Sequence, residues 1–114
     1  MMKIGIVGCG NISETYFECQ KIFNNFKIVA CADINKEAAS NAASKYNVKA
    51  LSVEEILTNN EIDLIINLTI PAAHKEIIIK SLLNGKHCFS EKPLAMNFQE
   101  GLEIQKLTNE KGLY

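Results

Sequence analysis

Apolar and polar positions alternate along the chain in blocks that predict five strands, each followed by a helix. The predicted strands are short, nearly unbroken apolar runs, which is typical of strands covered on both faces in a parallel sheet. They span residues 3–7, 27–32, 47–50, 64–68 and 86–90. This alternation predicts an α/β fold built on a doubly wound parallel sheet with strand order 3-2-1-4-5. Such a sheet has a ligand crevice between its first and fourth strands.

Helical periodicity fills the gaps between the strands, over residues 12–23, 37–46, 53–58, 73–83 and 97–111. In the first helix the apolar residues recur at three- and four-residue intervals, which predicts that one helix face packs on the sheet. That predicted face carries Ile12, Tyr16, Cys19 and Phe23. The third helix follows Ser52, and Glu55 three residues later completes the sequence pattern of a capping box.

The first strand runs into a glycine-rich turn, residues 8–13, that leads into the first helix. Its sequence, Gly-Cys-Gly-Asn-Ile-Ser, follows the dinucleotide-binding pattern except that Ser13 stands where a third Gly or Ala is usual. Glycines let the backbone bend tightly and approach a pyrophosphate, and the helix aims its free N–H groups at that anion. The predicted cofactor contacts in this turn are Gly8, Cys9, Gly10, Asn11 and Ile12. The alternative is a tight turn without a nucleotide, as in some flavodoxin-like domains.

The second strand ends at Asp33, where dinucleotide-binding folds carry the acid that binds the adenosine ribose. A carboxylate at this position accepts hydrogen bonds from both ribose hydroxyls of NAD and repels the 2′-phosphate of NADP. NAD is therefore the predicted cofactor, ahead of NADP. Lys36 could bind a phosphate, but a solvated lysine in a first helical turn is the simpler interpretation. Asp33 could instead cap the helix that begins near Glu37.

Length and charge narrow the functional classes. A chain of 114 residues has room for one domain, here residues 1–114, and its net charge of −1 gives no basic surface for nucleic acid. No apolar run is long enough to cross a bilayer and no signal-peptide pattern is present, so a cytoplasmic protein is predicted. The four cysteines form no C-x-x-C pair, and no metal site is predicted.

A second motif, Glu91-Lys92-Pro93, follows the fifth strand. A lysine at the carboxyl end of a parallel strand faces the ligand crevice, where it can polarise a substrate oxygen or share in proton transfer. Taken with the glycine turn, Asp33 and the Asn-Leu-Thr-Ile-Pro-Ala-Ala-His stretch at 67–74, this motif resembles the Gfo/Idh/MocA family of NAD(P)-dependent oxidoreductases. The resemblance covers the whole chain and implies a Rossmann fold and hydride transfer to or from a sugar, polyol or related substrate.

The resemblance also implies roles for individual residues. Lys92 would be the catalytic and substrate-binding lysine, joined to Pro93 by a cis peptide bond, and Glu91 would lie near the nicotinamide ribose. Thr69, Pro71 and His74 would border the cofactor. For His74, contact with the loop backbone is favoured over a catalytic role.

Members of this family carry a second α/β domain with the substrate pocket, an Asp-x-x-x-His motif and usually the oligomer interface. The chain is therefore interpreted as the cofactor half of a longer, homo-oligomeric dehydrogenase, truncated before that C-terminal substrate domain and inactive by itself. A non-catalytic NAD-sensing or regulatory domain is the main alternative, and it would not need Lys92. A small domain that binds no NAD is a third possibility.

Overall fold

The computed structural model describes residues 1–114, which form one five-stranded parallel sheet with helices on both faces. The strands are β1 (Met2–Val7), β2 (Phe26–Ala32), β3 (Lys49–Ala50), β4 (Leu64–Asn67) and β5 (His87–Ser90). The helices are α1 (Ser13–Cys19), α2 (Lys36–Tyr46), α3 (Val53–Thr58), α4 (Pro71–Leu83) and α5 (Phe98–Lys111). The observed strand order, β3-β2-β1-β4-β5, confirms the predicted doubly wound sheet.

Both faces of the sheet are covered, as the unbroken apolar strands predict. On one face Ile4 and Ile6 of β1 pack with residues of α1 and α2. On the other face Val7 joins a cluster that includes Ile56 of α3 and Ile77 of α4. The three central strands, β1, β2 and β4, therefore bury consecutive side chains in opposite directions, which is why no polar alternation marks them.

Helix α1 differs from its prediction. It ends at Cys19, and the residue it buries against the sheet is Phe17, which is fully buried and stacks on Tyr46 at 4.3 Å between ring centroids. Ile12 and Phe23, assigned to the inward face by periodicity, are each about half exposed. The predicted face is correct for Tyr16 and Cys19, which are half-buried, and wrong for Ile12 and Phe23, because the helix is only seven residues long and both lie outside it.

The predicted capping box at the start of α3 is confirmed. Ser52 Oγ accepts from the backbone N–H of Glu55 at 3.0 Å, and the Glu55 carboxylate accepts from the backbone N–H of Ser52 at 3.2 Å. These two bonds satisfy N–H groups that a helix start leaves without intrahelical partners. The cap holds α3 at the position where Ile56 and Leu57 enter the core.

Replacing Ser52 with alanine is expected to lower the free energy of unfolding by about 1 kcal/mol, because the N–H of Glu55 loses its acceptor. Urea denaturation followed by circular dichroism measures this change. Ser40→Ala is the matched control, since Ser40 is exposed within α2 and its hydroxyl makes no hydrogen bond to the chain. Equal unfolding midpoints for the two variants would contradict the role of the cap.

Every helix is too short or too polar to span a membrane. The four cysteines are free thiols, with Cys31 buried and Cys9, Cys19 and Cys88 half-buried.

Candidate functional site

A groove lies where the carboxyl ends of β1 and β4 meet, at the reversal of strand order. Val7 pairs with Asn67 at these ends, and the N–H of Leu68 donates to the carbonyl of Val7 at 2.8 Å. The residues that line the groove come from the glycine turn, the end of β2 and the segment after β4: they include Gly8, Gly10, Asp33, Ile34, Leu68, Thr69, Ile70 and Ala73. The sequence predicted this crevice, and the structure brings the predicted residues of three separate segments to it.

Gly8 makes the close approach between the glycine turn and the segment after β4 possible. Its φ is +105°, and a Cβ on it would lie 2.5 Å from the carbonyl carbon and oxygen of Leu68. Only glycine tolerates both conditions. A Cβ on Gly10 would meet nothing within 4 Å, so the fold itself does not require glycine there. The open side of Gly10 faces space that a ligand can approach.

Three consecutive N–H groups of the turn are free. Those of Gly10, Asn11 and Ile12 donate to no atom of the chain, whereas those of Gly8 and Cys9 donate to Ala32 and Asp33. Free backbone donors in a glycine turn form an anion-binding concavity. These donors fit a pyrophosphate, as the sequence predicts.

Ser13, which stands where Gly or Ala is usual, adds a hydrogen bond to the turn. Its hydroxyl donates to the carbonyl of Gly10 at 2.6 Å, and the residue is only 2% exposed. Ser13 therefore closes the turn at its helical end, and the departure from Gly or Ala leaves the geometry of the site intact.

Asp33 is half-buried beside the turn and holds it in place. One carboxylate oxygen accepts from the N–H of Cys9 and the other from the N–H of Asn35, both at 2.8 Å. Each oxygen can accept a second hydrogen bond, which leaves capacity for two ribose hydroxyls. The alternative in which Asp33 caps the next helix is wrong, because Asn35 is the N-cap of α2 and accepts from Glu37 and Ala38.

A buried polar network supports the segment that follows β4. Asn67 is fully buried, accepts from the N–H and hydroxyl of Thr69, and donates to the carbonyl of His74 at 3.0 Å. Sequence reasoning treated Asn67 only as part of a family motif. A single amide in an otherwise apolar strand was the available signal, because a buried polar side chain needs several hydrogen-bond partners.

His74 connects this segment to the one that follows β5. The ring is 1% exposed, with Nε2 2.7 Å from the carbonyl oxygen of Thr69 and Nδ1 2.6 Å from that of Pro93. The imidazole is therefore engaged with backbone on both sides, as the favoured interpretation predicts. Neither His74 nor Pro71, the first residue of α4, lines the groove.

The Glu91-Lys92-Pro93 segment follows β5 at the carboxyl end of the sheet, where the groove also lies. The predicted cis peptide bond between Lys92 and Pro93 is present. The N–H of Glu91 donates to the carbonyl of Asn67 at 3.1 Å, and its carboxylate accepts from the hydroxyl of Tyr16. Lys92 is exposed, and its ammonium makes no hydrogen bond or ion pair with the chain. It is thus free to bind a ligand.

Comparison with known proteins agrees with this geometry. Residues 2–114 match the family model described as an oxidoreductase family with an NAD-binding Rossmann fold. The chain belongs to the Gfo/Idh/MocA family. As a Gfo/Idh/MocA domain it binds NAD, and the free N–H groups of the turn and the Asp33 carboxylate are the features of this chain that fit that cofactor.

The relatives of this Gfo/Idh/MocA domain include proteins named as dehydrogenases and a reductase. It is 34% identical over 106 residues to trans-1,2-dihydrobenzene-1,2-diol dehydrogenase of Xenopus tropicalis, covering 90% of this chain and 32% of that protein. It is 31% identical over 98 residues to inositol 2-dehydrogenase of Agrobacterium fabrum, and the match covers 82% of this chain and 29% of that protein. The crystal structure of Synechocystis biliverdin reductase with biliverdin and NADP+ superposes on this chain with a TM-score of 0.92 at 28% identity. The superposition covers 98% of this chain and 36% of the reductase. The chain thus spans about a third of the length of these relatives.

Proposed function

We propose that this chain is the dinucleotide-binding domain of a longer oxidoreductase that transfers hydride between NAD and the hydroxyl or carbonyl group of a sugar, polyol or related substrate. The observation that carries the proposal is the unpartnered ammonium of Lys92 at the same sheet edge as the glycine turn and Asp33. A regulatory domain that only senses NAD has no need for a free lysine there.

In this proposal each part of the groove binds one part of NAD. The free N–H groups of Gly10, Asn11 and Ile12 bind the pyrophosphate, while Gly8 and Cys9 shape the turn. Asp33 binds the adenosine ribose. Thr69 borders the cofactor, His74 supports the Thr69 backbone from outside the groove, and Glu91 and Lys92 lie toward the nicotinamide end. Bound NAD supplies the carbon that accepts or donates hydride.

Lys92 is the proposed catalytic residue. A lysine ammonium offers three N–H donors and a full positive charge, which stabilise negative charge on the substrate oxygen as hydride leaves or arrives at the adjacent carbon. The backbone on both sides of Lys92 is anchored, since Glu91 donates to Asn67 and the carbonyl of Pro93 lies against His74. The side chain can therefore reach a substrate from a fixed starting point.

The rest of the proposed enzyme covers the apolar surface beside β5 and α5. Large apolar side chains are exposed there: Phe89, Leu94, Met96, Phe98, Leu102 and Tyr114. A surface of this kind marks an interaction site, and the proposal assigns it to a substrate domain and to a homo-oligomer of the longer protein. The free thiols suit a reducing compartment, so the proposed location is the cytoplasm.

Replacing Lys92 with alanine in the longer protein is expected to lower kcat by about 10²- to 10³-fold, the range associated with losing one donor that stabilises charge developing in the transition state. The Kd for NADH, measured by fluorescence titration, is expected to stay within about twofold, because the pyrophosphate and ribose donors are untouched. Lys27→Ala is the control, since Lys27 lies at the opposite end of the sheet.

Two results would contradict the proposal. Full turnover in Lys92→Ala would remove the catalytic role of the lysine. Failure of the unaltered chain to bind NADH would contradict the proposed dinucleotide site itself. Reversible NADH binding by a longer protein that turns over no polyol or sugar would favour the regulatory alternative.

A further inference from the structure

The side chain of Tyr16 reaches from α1 to the segment after β5. Its hydroxyl donates to Oε1 of Glu91, and its ring packs edge-on against Phe89 with 6.3 Å between centroids. Tyr16 and Glu91 are 75 positions apart in sequence. Periodicity had assigned Tyr16 to the buried face of α1, with no role in a site. The contact instead joins the helix of the glycine turn to the Glu91-Lys92-Pro93 segment.

The contact leaves Glu91 held on one side and open on the other. Its N–H is fixed by the carbonyl of Asn67, and Oε1 is fixed by Tyr16, whereas Oε2 makes no hydrogen bond with the chain. Burial, then the hydrogen bond and the negative charge of Glu91, raise the pKa of Tyr16 to about 12. The phenol therefore remains a hydrogen-bond donor throughout the physiological pH range.

Tyr16 and the pyrophosphate donors belong to one short piece of chain. The free N–H groups of Asn11 and Ile12 lie directly before α1, and Tyr16 is the fourth residue of that helix. A rigid helical turn thus sets the distance between the anion site and the carboxylate of Glu91. Moving α1 relative to the Glu91 segment would break the hydrogen bond between Tyr16 and Glu91.

We propose that Tyr16 is a positioning residue that orients the Glu91 carboxylate to accept a hydroxyl of the ribose attached to nicotinamide. This inference rests on the proposed function. It assigns to α1 a second task beside the pyrophosphate, namely setting the position of the nicotinamide half of the cofactor.

The test compares two probes on Tyr16→Phe, a variant that keeps the ring packed on Phe89 and removes only the hydroxyl. NADH contains the nicotinamide ribose, whereas ADP contains the adenosine and pyrophosphate alone. Calorimetric titration is expected to show about tenfold weaker NADH binding, equivalent to about 1.4 kcal/mol, with the ADP affinity within about twofold of the unaltered chain. Tyr114→Phe is the matched control, since Tyr114 is 88% exposed and its hydroxyl has no partner.

A double-mutant cycle separates positioning from mere support. With Glu91→Ala already present, adding Tyr16→Phe is expected to change the NADH affinity by less than about twofold, because the acceptor that Tyr16 orients is gone. Equal losses for NADH and ADP would overturn the proposal, since Tyr16 would then only support the turn. Unchanged NADH binding in Tyr16→Phe would also overturn it. An unaltered chain that binds neither probe would contradict the proposed function itself, which is a distinguishable result.

Discussion

Replacing Gly8 with alanine is expected to abolish NADH binding and to lower the free energy of unfolding by about 3–5 kcal/mol. The added Cβ would lie 2.5 Å from the backbone carbonyl of Leu68, and φ at this position is +105°. A backbone neighbour cannot rotate away as a side chain can, so the turn and the segment after β4 must separate. A thermal melt is expected to show Tm lower by roughly 10–20 °C.

Gly10→Ala is the matched control for this prediction. Its Cβ would meet nothing within 4 Å, and φ there is outside the range that favours glycine. Stability is therefore expected to change by less than about 1 kcal/mol, while NADH affinity falls about tenfold or more because the methyl group occupies the approach to the turn. If the two variants melt alike, the close approach of Gly8 to Leu68 does not govern stability.

Replacing Asp33 with alanine is expected to weaken NADH binding by about 10- to 100-fold, because two hydroxyls lose a charged acceptor. Loss of the negative charge also removes repulsion toward a 2′-phosphate. The ratio of NADPH to NADH affinity is therefore expected to rise. Parallel fluorescence titrations with NADH and NADPH measure both effects.

Asp63→Ala provides the comparison for the Asp33 prediction. Asp63 also accepts a backbone N–H, that of Lys3 at 2.8 Å, but it lies at the opposite end of the sheet. This variant is expected to lose some stability and to bind both nucleotides as the unaltered chain does. Equal loss of NADH affinity in the two variants would show that Asp33 acts only through the stability of the fold.

Local capping patterns predicted the structure of this chain more accurately than helical periodicity did. Local signals were confirmed where neighbouring residues in sequence make the interaction, as in the capping box of Ser52 and Glu55. Periodicity succeeded only in part for α1, because a seven-residue helix is too short for a repeat to identify its whole buried face, and Phe17 fell outside the proposed pattern. Asp33 could be interpreted as a cap until the hydrogen bonds of Asn35 excluded that role.

By itself, the sequence determined the order of strands and helices, the glycine turn, the acid that ends β2 and the lysine that follows β5. These follow from local backbone preferences and from apolar runs, which act between residues close in sequence. Only the tertiary structure decided that Tyr16 holds Glu91 and that His74 joins the carbonyls of Thr69 and Pro93. Those contacts depend on how helices pack across strands from distant parts of the chain, and no pattern within a single segment encodes that geometry.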